Sequence, residues 1–473
     1  MRRDQIERKS FEYSIPASTP LTETEKRENE MRLAFFKKAE EILRQEDRFT
    51  KKAGNLRVGL EVEYSVLTGN FSQATELERN RIVESNPDFA DVELGAAQLE
   101  WRTNPLYLNK EGITALEDAF KVNEEKIRKS TQEQDLYLLR AGSNPFVLIS
   151  EIKRTNKPKY QQVPDYHNNN KRWGLDTKLG ISKDEDEIVD VRDASVVALM
   201  NSIQCNVEAS SFADGIEKVN RSFMIGPMAV ALAGNARFLE GKDTKMSDIR
   251  MIAWEKSHDT RSSLETEQGR ITRIGLPGLY YLDLRDYFQR VSSYPFILYD
   301  PDHAFQIGIG LNWRDARIKF IENSIVVEFR PVSTQPTVKE NIAIMLFYLG
   351  RIYWSIQNRE PLMNLKLVEQ NRNQAMYFGL RSKLWTYTDK GVELLPAEIA
   401  LNLELERAIK GLMFFGFSAK EIDCYFEILR MRLYSKENPS DQLARRFYYY
   451  YNSFGYSRKE SLVLALNDNG SLI

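Results

Sequence analysis

The sequence predicts an α+β fold: strands with intervening helices, followed by a helical C-terminal region. Three observations carry that prediction. Segments that alternate apolar and polar residues with period two recur between about 57 and 332. Stretches with apolar residues at helical spacing separate several of them. Beyond about 338 nearly everything reads as helix, down to the polar end "NDNGSLI".

In chain order, residues 1–20 read as a loose arm. From Thr22 to about Arg48, Met31, Phe35, Phe36, Ala39, Ile42 and Leu43 recur at helical intervals in a charge-rich run. Strands are predicted at 57–67, about 98–104, 136–141, 201–208, 303–311 and 325–332. Helices are predicted at about 111–134, at about 214–239 with Asp214 as N-cap, and after Thr337, whose spacing to Glu340 is that of a capping box. The acidic run 183–190 reads as a solvated loop, and His167 in "PDYHNNNKR" as an exposed loop residue. The tyrosines at 448–451 read as helix surface and packing. Three regions follow: arm and helix 1–50, a catalytic-sized core 51–350, and a helical region 351–473 packed on that core.

Composition removes several function classes. Lys plus Arg total 66 against 68 Asp plus Glu, so charge gives no reason to expect nucleic acid or a membrane surface as partner. The longest uncharged apolar run, "SFMIGPMAVALAGNA", is short of the roughly 18 residues a bilayer span needs. The polar start "MRRDQIERKSFEYS" lacks the apolar core of a signal peptide, which makes the cytoplasm the expected location. Two cysteines and three histidines cannot build a disulfide framework or a zinc site of the usual kind. A bound metal would therefore have oxygen ligands, which points to a hard cation such as magnesium.

The stretch "RVGLEVEYSVL" places Glu61 and Glu63 side by side on one face of a strand whose other face is Val58, Leu60, Val62, Tyr64 and Val66. A solvated outer face is the simplest account of a lone pair of this kind. Other strands repeat the pattern, however. Gln204, Asn206 and Glu208 alternate with Ile203, Cys205 and Val207; Gln98, Glu100 and Arg102 with Leu99 and Trp101; Glu328 and Arg330 with Val327 and Phe329. Two charges 4 Å apart repel by roughly 1 kcal/mol in water and about 4 kcal/mol at an effective dielectric near 20. Converging carboxylates would need divalent cations. Carboxylates with arginines, and no histidine or cysteine nucleophile, suit phosphoryl transfer, in which magnesium bridges nucleotide phosphates. Neither a Walker-type G-x-x-x-x-G-K-[ST] nor a G-x-G-x-x-G occurs.

These residues resemble a known family. "GLEVEY" is similar to the G-x-E-x-E opening of the glutamate–cysteine ligases of the carboxylate–amine ligase group, and "VELGAAQLEWRTNPL" to their E-x-G-x-Q-x-E segment. The stretch from "NSIQCNVE" to "WEKSHDTR" resembles the plant and proteobacterial branch, with its S-x-R-x-x-x-W. "DARIKFIENSIVVEFRPV" resembles its R-L-K…E-x-R strand. The resemblance implies an antiparallel sheet of about six strands bent into a cup, with helices on its outer face, related to glutamine synthetase. It implies Mg²⁺ (or Mn²⁺) held by Glu61, Glu63, Glu93, Glu100 and Glu328, with Gln204 a further ligand. Arg250 and Arg330 fall where the family meets phosphate or amino acid, and Asn206, Arg317 and Lys319 are further binding candidates. Glu93 and Glu100 are seven apart, so a straight strand would oppose them; a turn or bulge at Gly95 would bring both inward.

The implied activity is an ATP-dependent ligation in which glutamate becomes an acyl phosphate and an amine, cysteine by default, attacks it. A different amine, or a non-catalytic nucleotide-binding protein, are the alternatives. The partners expected are small molecules, and the chain is expected to be a monomer or homodimer. Glu208, Asn235–Phe238 and Pro331–Thr334 depart from the plant pattern. With the loop 160–173, the last two are expected to wall the acceptor pocket.

Overall fold

The structure is a computed structural model that describes residues 21–171, 174–182 and 184–473. The expected arm at 1–20, and positions 172, 173 and 183 of the two expected loops, lie outside the described residues.

The central feature is one curled antiparallel sheet. Its strands are β1 (Arg57–Leu67), β2 (Ala90–Val92), β3 (Gln98–Arg102), β4 (Leu106–Tyr107), β5 (Tyr137–Leu139), β6 (Ile203–Ala209), β7 (Ala316–Ile321) and β8 (Ser324–Phe329). Six run in the order β7-β8-β6-β1-β3-β2, while β4 and β5 pair with opposite ends of β1. The register follows from the period-2 pattern. Leu60, Val62, Tyr64, Leu99, Trp101, Ile203, Cys205, Val207 and Phe329 are all buried on one side. A one-residue slip of any strand would turn that set to the wrong face.

Helices cover the apolar side. They are α1 (Glu23–Leu43), α2 (Lys110–Gln132), α3 (Pro158–Asn169), α4 (Phe212–Ala233), α5 (Arg250–His258), α6 (Ala304–Gly310), α7 (Val338–Gln357), α8 (Leu365–Phe378), α9 (Ala397–Met413), α10 (Ala419–Ser435), α11 (Pro439–Phe454) and α12 (Arg458–Asp468). α4 and α7 are buried almost all round, as their near-continuous apolar sequence requires. Two ties join sheet to helices. The Phe329 ring stacks on Tyr348 of α7 with centroids 3.9 Å apart. The Tyr64 hydroxyl donates to Glu124 of α2, whose other oxygen holds Arg140 at 2.7 Å. The chain's last residues complete the β5 edge: Leu138 N–H donates to Ile473 at 2.8 Å and Ile473 N–H returns the bond at 3.0 Å.

Several expectations need correction. Residues 303–311 are not a strand but a short 3₁₀ turn, Pro301–His303, running into α6. The apolar residues there fit both periods. Phe305 and Ile309, four apart, turn to the same side, and Gly308 lets the Phe35 ring of α1 come close. The strand beside β8 is instead β7, within the segment that carries the family resemblance. α4 begins three residues before the expected cap: Ser211 accepts from Asp214 N–H at 3.1 Å, and Asp214 reaches back to Ser210 N–H at 2.7 Å. It ends at Ala233, not 239. The acidic run is only partly solvated, because Val189 is buried and Glu187 accepts from Asp243 N–H at 2.6 Å and pairs with Arg458. The helical C-terminal region contains one hairpin, Lys383–Thr388 with Gly391–Pro396. The boundary drawn at 350 falls inside α7. Among the described residues no helix is long and apolar enough to cross a membrane.

α7 and α9 cross at Gly350 and Gly411, where a Cβ on either residue would overlap the other helix's backbone. Neither glycine is there for a positive φ; the close approach alone requires it. Gly411→Ala must push the helices apart, and should cost roughly 1–3 kcal/mol of stability, as overpacked cores do. Denaturant unfolding should show a lower midpoint. An unchanged midpoint would mean that the crossing is looser than described.

Candidate active site

The polar face of the sheet lines a cavity of about 600 Å³. Strand register sets its floor. Glu63 pairs with Glu100, and Glu61 sits between Arg102 and Gln204; Asn206 faces Glu328, which in turn faces Arg317. Glu93 joins them because the chain folds back between β2 and β3. Buried Arg79 donates to Gln98 O at 2.9 Å and Gly95 O at 3.4 Å, holding that turn shut. Gly95 serves by close approach, since a Cβ would lie 2.9 Å from Ala198 O.

The floor separates into two electrostatic halves. On one side Glu63, Glu93 and Glu100 bring one carboxylate oxygen each within 4.8 Å of one another. Burial pushes Glu63 up to about 7, with the Glu93 charge adding to the effect. Burial likewise raises Glu93, and raises Glu100 well above the usual range with help from Glu61, Glu93 and Glu63. Three carboxylates that resist ionisation together, all oxygen donors, fit a hard divalent cation.

On the other side Glu328 is fully buried, which alone would raise it, yet Arg317, Arg330 and Lys319 hold it well below the carboxylate range. Arg330 donates to it at 2.6 Å; Arg317 and Lys319 close on it from β7. Lys319 also reaches Glu61 at 3.2 Å. Gln204 joins the halves, donating to Glu63 at 3.1 Å and accepting from Arg330 at 2.9 Å. Ser202 donates to Glu63 through both its N–H (2.7 Å) and its hydroxyl (2.9 Å).

The expected residues are thus distributed unevenly. Glu63, Glu93 and Glu100 converge as a cation site; Glu61 and Glu328 lie on the same face but are neutralised by protein cations. Gln204 spends both ends of its amide on neighbours. Arg330 lines the cavity. Arg250 does not: it is buried behind the sheet and donates to the Arg330 carbonyl. Asn206 Oδ1 is buried without a partner, and Asn206 is not a lining residue. Of the three segments expected to wall an acceptor pocket, Asn235–Phe238 and Pro331–Thr334 are packed away. Asn235 donates to Thr334 O at 2.6 Å, and Phe238 packs on Phe447. Only the 160–173 segment reaches the cavity, as helix α3, through Tyr160, Val163 and Pro164.

α3 also corrects the expectation for His167. That residue is 1% exposed, its ring 4.3 Å from His258. Its Nδ1 donates to Val163 O at 2.8 Å, and burial pushes it down to about 3, so it is neutral. Together His258, Trp254 and Trp313 make an aromatic wall opposite the acids. Lys159, Trp313 and Gln306 line the cavity without having stood out in the sequence. Pro158, which starts α3 at a position proline favours, was the signal for Lys159.

The profile of glutamate–cysteine ligase family 2 matches residues 57–462. A Rubrobacter xylanophilus protein provisionally named glutamate–cysteine ligase 2-3 is 22% identical over 347 residues, 70% of this chain and 79% of its own length. The crystal structure of Francisella tularensis glutamate–cysteine ligase in complex with AMP matches with a TM-score of 0.57 at 14% identity. It covers 89% of this chain and 90% of that one, a likeness of fold.

Two predictions follow from this geometry. A carboxyl raised from about 4.5 to about 7 binds a proton in the folded state that the unfolded chain releases. In EDTA, folding stability at Glu63 is therefore lost as pH rises from about 4.5 through about 7. Melting temperatures between pH 5 and 8 should fall more steeply for wild type than for Glu63→Gln, and added Mg²⁺ or Mn²⁺ should flatten the wild-type curve. Identical slopes in both proteins would remove the elevated carboxyl. Second, Arg330→Lys keeps charge but cannot grip Glu328 and Gln204 with a planar fork, so kcat should drop on the order of a hundredfold. Near-wild-type turnover would make its geometry unimportant.

Proposed function

Since the chain belongs to glutamate–cysteine ligase family 2 and is an ATP-dependent ligase, we propose that it activates the side-chain carboxylate of glutamate as an acyl phosphate and passes it to an amine, cysteine by default. The supporting observation is the split floor, with an acid triad facing a cationic trio across one cavity. All the residues proposed for the chemistry lie between 51 and 350.

A carboxylate oxygen of the donor attacks the γ-phosphorus, and the bond to the ADP oxygen breaks. The amine nitrogen then attacks the acyl carbon, the carbon–phosphate oxygen bond breaks, and inorganic phosphate leaves as the nitrogen loses a proton. Negative charge moves along this path, and the chain supplies fixed partners for it. Glu63, Glu93 and Glu100 would hold Mg²⁺ (or Mn²⁺), which when bound neutralises polyphosphate charge; Glu61, Glu328 and Gln204 stand next to that set. Arg330 is aimed at the phosphate being transferred or at the donor carboxylate. Arg250 acts through it, fixing its backbone carbonyl. Arg317 and Lys319 face the rest of the polyphosphate, and Asn206 steadies the strand between Glu328 and Gly59.

A second reading keeps this chemistry and changes the amine. It is favoured by the wall of Trp254, His258 and Trp313, which offers an aromatic surface beyond what a thiol side chain needs.

Incubation with Mg²⁺, ATP, glutamate and a mixed amine pool should release ADP and give γ-glutamyl products by mass spectrometry. EDTA should abolish turnover, and Glu61→Gln should lower it by orders of magnitude with the fold intact. A dominant γ-glutamylcysteine peak would reject the altered acceptor. Products lacking glutamate would reject the donor, and full activity in EDTA the cation site.

A further inference from the structure

A second cleft, of about 370 Å³, lies beside the cavity. Gln306, Gly310, Arg317 and Lys319 line both, so the two meet at that cationic neck. Its outer wall comes from a part of the chain that precedes residue 57, where the family match begins: Ile42 of α1, then Gln45 and Phe49. Aromatic rings form the floor. Phe49 and Phe320 are 5.8 Å apart, and Phe320 and Phe305 are 5.6 Å apart. Phe49 and Phe305 are buried, so the slot is held open by packed side chains.

We propose that this second cleft holds the nucleoside end of ATP, the polyphosphate passing Arg317 and Lys319 to reach the acid triad. The proposal rests on the ATP-dependent ligase reading, and adds where the nucleotide's base goes and that the N-terminal segment builds its seat. Charge selects the occupant. At the neck Arg317, Lys319 and Arg330 stand against Glu61 and Glu328, three positive groups to two negative. A polyphosphate crossing there meets favourable potential, whereas an acceptor amine, as its ammonium, would have to pass two cations. Shape agrees, since a flat heteroaromatic base suits a slot of phenylalanine rings with an amide at the rim and another at the neck. The volume lies within the range of small-molecule sites, roughly 300–1,000 Å³. With the base seated there, the aromatic wall of the main cavity is left to the acceptor.

Two variants test this. Phe320→Ala removes a floor ring. Gln45→Trp fills the mouth from an exposed position that touches no core residue. Calorimetric titration with ADP and Mg²⁺ should show at least a tenfold loss of affinity in each, and the KM for ATP should rise by a similar factor. The KM values for glutamate and the amine should stay within twofold. Discrimination of ADP over UDP should also shrink in Phe320→Ala. ADP affinity unchanged in both variants would overturn the proposal, as would a rise in the amine KM instead, or wild-type protein that does not bind ADP. If Phe320→Ala fails to fold, Gln45→Trp decides alone. Loss of ADP binding in the variants of a protein that makes no amide product would keep the subsite and reject the ligase reading.

Discussion

Like charge crowded onto the concave face of one sheet is the constraint from which the surrounding structure takes its form. Glu61, Glu63, Glu93, Glu100 and Glu328 share that face because each strand's other face is committed to the core, and alternation leaves no third direction. The repulsion is met in two ways. Glu328 is answered by guanidinium and ammonium groups from its own and the neighbouring strand, while the Glu63 cluster is left to a cation from outside. The first arrangement is rigid and self-contained; the second makes the site depend on its ligand. A protein that neutralised all five internally would gain stability and have no reason to bind a metal.

The helices matter to the site through a few direct links. Arg250 is buried with its Nε unpartnered, and its donation to the Arg330 carbonyl fixes the end of β8 just past Glu328. Phe329, between those two residues, is clamped from behind by Tyr348. The strand end that carries the most concentrated charge is thus held by a hydrogen bond on one side and a stacked ring on the other. Rotation of Arg330 is further limited by Trp254, whose ring centre is 5.9 Å from the guanidinium carbon.

Much of this was readable in one dimension. β1, β3, β6 and β8 have clean alternation, so their positions and polar faces emerge from residue type alone. Glu93 did not follow from periodicity, because it belongs to a tight turn whose shape depends on Arg79, 14 residues earlier, and on the Ala198 carbonyl, about a hundred residues later. α6 misled because Phe305, Ile307 and Ile309 satisfy strand and helix spacing equally, and only Phe35 of α1 decides between them. His167 looked solvated among asparagines and lysine, yet the helix turns it inward onto His258, a contact between residues ninety apart. Arg250 was legible as important but not in its direction. Local pattern says which face a side chain takes; it cannot say what stands opposite.

The last three residues, paired with β5, have a consequence for handling the protein. β5 is short and lies against one end of β1, so its far side is an open row of backbone donors and acceptors wherever residues 471–473 are missing or displaced. Such an edge recruits strands from other molecules. Leu472, 8% exposed, would come out into solvent with it. A fusion partner or tag joined directly after Ile473 would pull on this seam, and a spacer that lets the seam close would keep preparations free of edge-to-edge aggregates.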